Sequence, residues 1–236
     1  CLLACSLGLS AHAQDSFRLT GELSDDSRRD VKQLYLTYDD EFGNTITLDS
    51  AKVKRGKFTF EGAIPERGEK VCLSGFPGGT LTFFLDPAEL TATGIDARNP
   101  EKARVTGSHN NEVYNRLKDI EAQSLQNAQQ KLEAYKASLP ADIKANPAVM
   151  QHYVDTERSR QNELARLDVL DFIAANLYEP IAVWMVNDYC RDFFSAYTME
   201  RDILCAIPES MKKHPLYEEM LSFSYSENLK SGSQSP

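Results

Sequence analysis

Thr45-Ile-Thr-Leu-Asp-Ser-Ala-Lys-Val-Lys-Arg-Gly-Lys-Phe-Thr-Phe-Glu-Gly62 is the stretch whose reading sets the fold. Apolar and polar residues alternate through Ile46 and Leu48, then Val53, then Phe58 and Phe60. A period of two marks strands with one buried face. Arg55-Gly56 stands between them, and glycine adopts the backbone conformation that a two-residue loop demands. The stretch therefore predicts a hairpin of two short strands in an all-β domain. Nothing in it is catalytic.

Outward from it, strand candidates come in quick succession. On the N-terminal side, Phe17-Arg-Leu-Thr-Gly-Glu-Leu23 alternates cleanly. The polar cluster Ser24–Asp30 separates it from Val31-Lys-Gln-Leu-Tyr-Leu-Thr-Tyr38, and Asp39–Asn44 is a loop of turn formers. On the C-terminal side come Lys70–Ser74, Thr80–Leu85, Leu90–Gly94 and Ala103–Thr106, punctuated by Pro65, Gly75, Pro77, Pro87 and Pro100. About eight short strands with no helical period between them predict an antiparallel β-sandwich over residues 14–107. A partly open barrel is the alternative.

From residue 108 the period changes. Ser108 is placed to cap a helix by accepting backbone N–H bonds. Val113, Leu117, Ile120, Leu125, Leu132 and Tyr135 then mark one helix face. Pro140 ends that helix and Pro147 opens another, with Val149, Met150, Tyr153, Leu164, Leu167, Leu170 and Ile173 expected inward. The middles of both, Ala122–Lys131 and Asp155–Glu163, are strongly polar. They predict an exposed antiparallel helical hairpin, packed well only near its base. Pro180–Val186 starts a more apolar helix, continued by Phe193, Phe194, Tyr197, Met199, Ile203 and Leu204. Leu216, Tyr217, Met220 and Leu221 make a last amphipathic set. The fold class is α+β: a sandwich domain at 14–107, a helical domain at 108–229 and a linker at 230–236.

The chain has 236 residues, 42% hydrophobic and 26% charged, which suits a folded protein. Its net charge of −9 disfavours nucleic acid as a partner. Leu2–Ser10 is a short apolar run followed by Ala11-His12-Ala13, which fits the small-x-small rule for signal cleavage. Residues 1–13 thus read as a partial signal peptide. Leu2-Leu-Ala-Cys5 also resembles a lipobox, which would anchor the chain to a membrane through Cys5. Either reading places the protein in the periplasm or cell envelope.

Candidate chemistry is sparse. Cys72, Cys190 and Cys205 lack Cys-x-x-Cys spacing. Cys72 sits in a strand as a small hydrophobe, Cys190 and Cys205 could pair, and aromatic, apolar neighbours predict burial and slow alkylation of both. Asp39, Asp40 and Glu41 lack the alternation of a calcium loop and read as a solvated hairpin tip. Gly75-Phe-Pro-Gly-Gly79 lacks the Lys-Ser/Thr ending of a phosphate loop. His12, His109, His152 and His214 share no ligand spacing. Trp184 reads as core rather than cage. Gly-x-Ser-x-Gly is absent. No catalytic, cofactor-binding or metal residue is assigned, and no cofactor is expected.

Four motifs in order carry a resemblance. They are Phe17-x-Leu-x-Gly21, Asp49-Ser-Ala-x-Val-x-x-Gly-Lys-Phe-x-Phe-x-Gly62, Phe84-Leu-Asp-Pro87, and Gly107-Ser-x-x-Asn111 opening a long helix. The chain resembles the domain of unknown function that precedes thioredoxin-like domains in envelope thiol–disulfide oxidoreductases, the TlpA, ResA and AhpC/TSA relatives. Phe172-Ile-Ala-Ala-Asn-Leu-Tyr-Glu-Pro180 is similar to their helix junction, with Leu177 where a proline often sits. Gly232–Pro236 looks like the start of the segment that opens the thioredoxin domain. The resemblance implies a chain cut at both ends, a downstream thioredoxin-like domain in cis as partner, and a non-catalytic role in positioning, dimerisation or substrate selection. The alternative is a stand-alone secreted or lipid-anchored protein that binds a peptide or glycan.

Overall fold

In the computed structural model, residues 16–40, 42–65, 69–191 and 198–232 are described, with side chains to residue 224. The partial signal peptide, Cys5, Glu41, Phe193, Phe194, Tyr197 and most of the 230–236 segment lie outside them. The chain forms two compact units, Cys1–Glu112 and Val113–Pro236. Strands occupy the first and helices the second, an α+β chain as expected.

The strands are β1 (Ser16–Leu23), β2 (Gln33–Asp39), β3 (Thr45–Lys52), β4 (Lys57–Ala63), β5 (Lys70–Phe76), β6 (Gly79–Phe84), β7 (Glu89–Ile95) and β8 (Val105–Thr106). They form two four-stranded sheets, ordered β4-β1-β7-β8 and β3-β2-β5-β6. Both sheets feed one core. Phe17, Leu19, Phe58, Phe60, Leu90 and Ile95 enter from the first sheet, and Leu34, Leu36, Val71, Leu73, Leu81 and Phe83 from the second. Each such side chain contributes about 1.5–3 kcal/mol when withdrawn from water, so the shared interior holds the sheets face to face.

The expected hairpin at Thr45–Gly62 is not one. Its turn forms: Arg55 has φ +53° and Gly56 φ +82°. Lys54 and Lys57 exchange backbone bonds of 2.9 and 3.0 Å. Two positive φ values are the signature of the hairpin turn whose twist matches the strands. Pairing nevertheless stops there. β3 lies along β2, from Gln33↔Lys52 to Asp39↔Thr45. β4 lies along β1, from Ser16↔Ala63 to Glu22↔Lys57. The turn is a corner that carries the chain from one sheet to the other. The alternation holds a trace of this, because Leu48 and Val53 fall out of phase with each other. β3 is also the outer strand of its sheet, so Leu48 is half-buried and Ile46 remains 37% exposed.

Five of the six described strand pairings are antiparallel, and β1 with β7 is parallel. Parallel neighbours need a long crossover. Here the second sheet supplies it, since β5 and β6 lie between β4 and β7 in the chain.

The helices are α1 (His109–Ser138), α2 (Ala141–Lys144), α3 (Pro147–Ala175), α4 (Ala182–Cys190), α5 (Met199–Ala206) and α6 (Pro215–Gly232). Asn146 caps α3 by accepting from Val149 N–H at 3.3 Å, with Pro147 in the first helical position. α1 and α3 run antiparallel. Arg116 donates to Asn176 at 3.1 Å, Ser124 to Asp168 at 2.7 Å, and Leu132 clusters with Val154.

Two details of the helical reading are corrected. Packing is not confined to the base: Leu132, Leu139 and Val154, with Tyr135, Ile143 and Met150, make a cluster at the closed end. The inward stripe holds at Val113, Leu117, Leu132, Leu170 and Ile173 and departs by one position in and next to the polar middles. Ser124, Ala128, Glu157, Gln161 and Ala165 are buried, while Leu125, Tyr153 and Leu164 are 52%, 42% and 40% exposed. In a polar stretch the neighbouring helix, not the few apolar residues, sets which phase faces inward.

Candidate functional site

Two of the four motifs meet at one joint within the N-terminal unit. β6 is the last strand of its sheet, so one edge of its backbone lacks a strand partner. Asn111 supplies it. Its Nδ2 donates to Phe84 O at 2.7 Å, and Phe84 N–H donates to its Oδ1 at 3.0 Å. The side-chain amide stands in for a neighbouring strand at a buried edge, with Asn111 1% exposed.

Ser108 holds that amide in place. Its hydroxyl accepts from Asn111 N–H at 3.3 Å and from Asn111 Nδ2 at 2.9 Å. Ser108 therefore caps α1 as expected, and Asn111 occupies the position where a capping box carries Glu or Gln. Asn110 Nδ2 donates to Asp86 Oδ1 at 2.6 Å. Asp86 Oδ2 and Asn110 Oδ1 are enclosed without a hydrogen bond, a local desolvation cost. Gly107 has φ +104°, and a Cβ there would stand 2.1 Å from Glu89 O. Phe84-Leu-Asp-Pro87 and Gly107-Ser-x-x-Asn111 are thus two halves of one structural staple.

The other reactive groups are dispersed. Cys72, Cys190 and Cys205 are free thiols. Cys72 Sγ lies 3.4 Å from Thr82 Oγ1. Cys190 is fully buried, and burial pushes its thiol up to about 12 against the opposing charge of Arg166. Its thiolate is negligible near neutral pH. The same burial does not extend to Cys205, which is exposed. The expectation that both are buried is corrected: Cys205 lies on the solvent side of α5, whose Ile203 and Leu204 turn inward.

Asp40 closes its own loop. Asn44 Nδ2 at 3.1 Å, Asn44 N–H at 2.8 Å and Phe42 N–H at 2.9 Å donate to its carboxylate. Those bonds, the side chain of Asn44 first, hold its carboxyl below the usual range. Pro77-Gly78 turns β5 into β6. His109 opens α1, His152 stacks edge-on against Tyr153 at 6.1 Å, and His214 meets half-buried Trp184 edge-on at 5.8 Å. Among the described residues, no group of three or more His, Cys, Asp or Glu is placed to hold a metal ion.

In the helical unit, several carboxylates are tied to cations, amides or hydroxyls. Arg160 and Gln161 donate to Glu157, and Arg166 bridges Glu163 and buried Glu200. Tyr189 donates to Glu121 at 3.0 Å; burial first, then Glu121, raises its hydroxyl. A groove of about 430 Å³ opens on the outer face of the first sheet between Thr91, Thr93, Asp96, Asn99, Lys102 and Arg104.

Sequence reasoning found Ser108 and missed what Asn111 does. The signal was present: an asparagine at capping-box spacing from the cap serine. The Ser124–Asp168 and Glu157–Gln161 contacts had none, because each residue is an ordinary polar member of a polar stretch.

No curated protein and no solved structure matches the chain. Residues 17–114 match the family described as Domain of unknown function (DUF4369), a span that runs from Phe17 through the staple at Asn111.

Proposed function

We propose that this chain is the non-catalytic N-terminal module of an exported thioredoxin-like thiol–disulfide oxidoreductase, acting through positioning, dimerisation or substrate selection. The observation that carries the reading is the staple. Two of the four resemblance motifs combine into a hydrogen-bonded joint that pins the first turn of α1 to the edge of β6. Residues used in this way fix geometry and leave chemistry to another part of the protein. The family match over the same motifs supports the reading, as does the apolar run before Ala13 for export. The gene sequence beyond Pro236 tests it. A thioredoxin-like domain with a Cys-x-x-Cys strand-to-helix turn is expected; a stop codon, or a continuation without that turn, removes the oxidoreductase.

A second reading, a binding protein for a peptide or glycan, draws on the groove at Thr91–Arg104. Threonine, asparagine, lysine and arginine side chains there suit a hydroxyl-rich ligand. Titration with a glycan panel checks it, with Thr93→Val and Lys102→Ser expected to abolish any saturable binding.

A further inference from the structure

We propose that the corner between β3 and β4 is an electrostatic contact for a bilayer surface carrying anionic headgroups. Three local costs accumulate there. Arg55 sits at φ +53°, where glycine, asparagine or aspartate is cheaper. Lys54 and Lys57 face each other across the turn, and like charges directly opposite are destabilising. Lys52-Val-Lys-Arg-Gly-Lys57 holds four cations and no acid, in a chain of net charge −9. Local rules broken together, without a gain in packing, mark functional positions.

The fold adds to the cluster. Val53 N–H bonds Lys32 O at 2.9 Å, which brings Lys32 beside the turn. Arg28 lies over Gly56, where a Cβ would stand 2.6 Å from its Cγ. Arg28 also binds Glu22 and Asp25, each at 2.8 Å, and Lys57 Nζ stands 4.0 Å from the same Glu22. Lys32, Lys52, Lys54 and Arg55 are exposed and make no ion pair among the described residues. Asp26, Asp30 and Asp49 are the remaining acids of this end, and none lies within the turn.

The shape selects the occupant. The cations flank a two-residue turn, with Lys52, Lys54 and Arg55 exposed. A flexible anionic polymer is held by a groove that tracks its backbone, and the two grooves described in this unit are lined by other residues. A planar anionic surface needs no groove to meet exposed cations, and the acidity of the rest of the chain orients the corner toward it. The contact requires no lipid at Cys5 and no spanning helix.

Co-sedimentation of the full chain with vesicles tests the proposal. Binding is expected to phosphatidylcholine vesicles that contain phosphatidylglycerol and not to phosphatidylcholine alone. It should fade as salt is raised from about 0.1 to 1 M, where the screening length falls from about 10 to 3 Å. Each basic residue near such a surface is worth about fivefold in partitioning. Lys52→Ser with Lys54→Ser and Arg55→Asn should therefore lower binding about a hundredfold. Removing three cations from the helical hairpin, Lys131→Ser, Lys136→Ser and Lys144→Ser, should leave the partition within a few fold. Arg55→Asn alone suits the turn, keeps the fold, and should lower binding about fivefold. Three results overturn the proposal: equal binding by the corner and hairpin variants, equal binding to both vesicle types, or retention on heparin without vesicle binding.

Discussion

Between its two sheets the N-terminal unit buries phenylalanine, leucine, isoleucine and valine almost without interruption. Between α1 and α3 the helical unit buries Ser124, Ala128, Glu157, Gln161 and Ala165, and closes with a small apolar cluster at one end. Both interiors exclude water, yet by different means. The sandwich relies on transfer of apolar area, which is large and indifferent to exact geometry. The hairpin relies on hydrogen bonds, whose net gain is modest and whose loss leaves a buried polar group unsatisfied. The first tolerates a changed shape better than a lost volume. The second tolerates a lost volume better than a lost partner.

That contrast can be broken or sharpened by substitution. The largest effect is expected at Phe60, 1% exposed between the sheets. Phe60→Ala should cost about 3–5 kcal/mol, read as a fall in the urea midpoint of the β-unit. A cost near that of a surface change would remove the sandwich core. Asn111→Ala comes next. It orphans the N–H and C=O of Phe84 at a buried edge, at about 2–4 kcal/mol, with faster amide exchange at Phe84 as the local sign. Asn111→Asp keeps the acceptor and loses the donor, so it should lie between. In the hairpin, Ser124→Ala removes the bond to Asp168 and should cost about 1 kcal/mol. A loss as large as that of Phe60→Ala would erase the distinction between the units.

Acid should separate them further. The bonds from Arg160, then Gln161, hold the Glu157 carboxyl below its ordinary value. A depressed folded value contributes stability that is fully present above the unfolded value and is lost as pH falls through the folded one. Hairpin stability should therefore decline below the usual glutamate range, and Glu157→Gln should flatten that part of the profile. The β-unit carries its own depressed carboxyls, Asp40 held down first by the Asn44 side chain and Asp96 first by that of Asn99, and should decline below the usual aspartate range instead. Last, alkylation should leave stability unchanged while dividing the helical unit itself. Iodoacetamide should modify exposed Cys205 readily and Cys190 only after unfolding, since burial holds that thiol up at about 12. Mass spectrometry of the labelled native protein checks both.

Local rules made much of this molecule legible in the linear chain. The strands, the Arg55-Gly56 turn, the Ser108 cap and the helix break at Pro140 each depend on a few neighbouring residues. The resemblance motifs were visible too, although the meeting of two of them at Asn111 was not. Tertiary structure alone decided which sheet takes each strand. Alternation specifies a strand's buried face and is silent about its partner, so a corner reads as a hairpin. It also decided that β1 and β7 lie parallel, because their pairing spans a whole sheet of intervening chain. In the hairpin, the facing helix chose Ser124 over Leu125, since its hydroxyl bonds Asp168 of α3, a partner that α1 by itself does not contain.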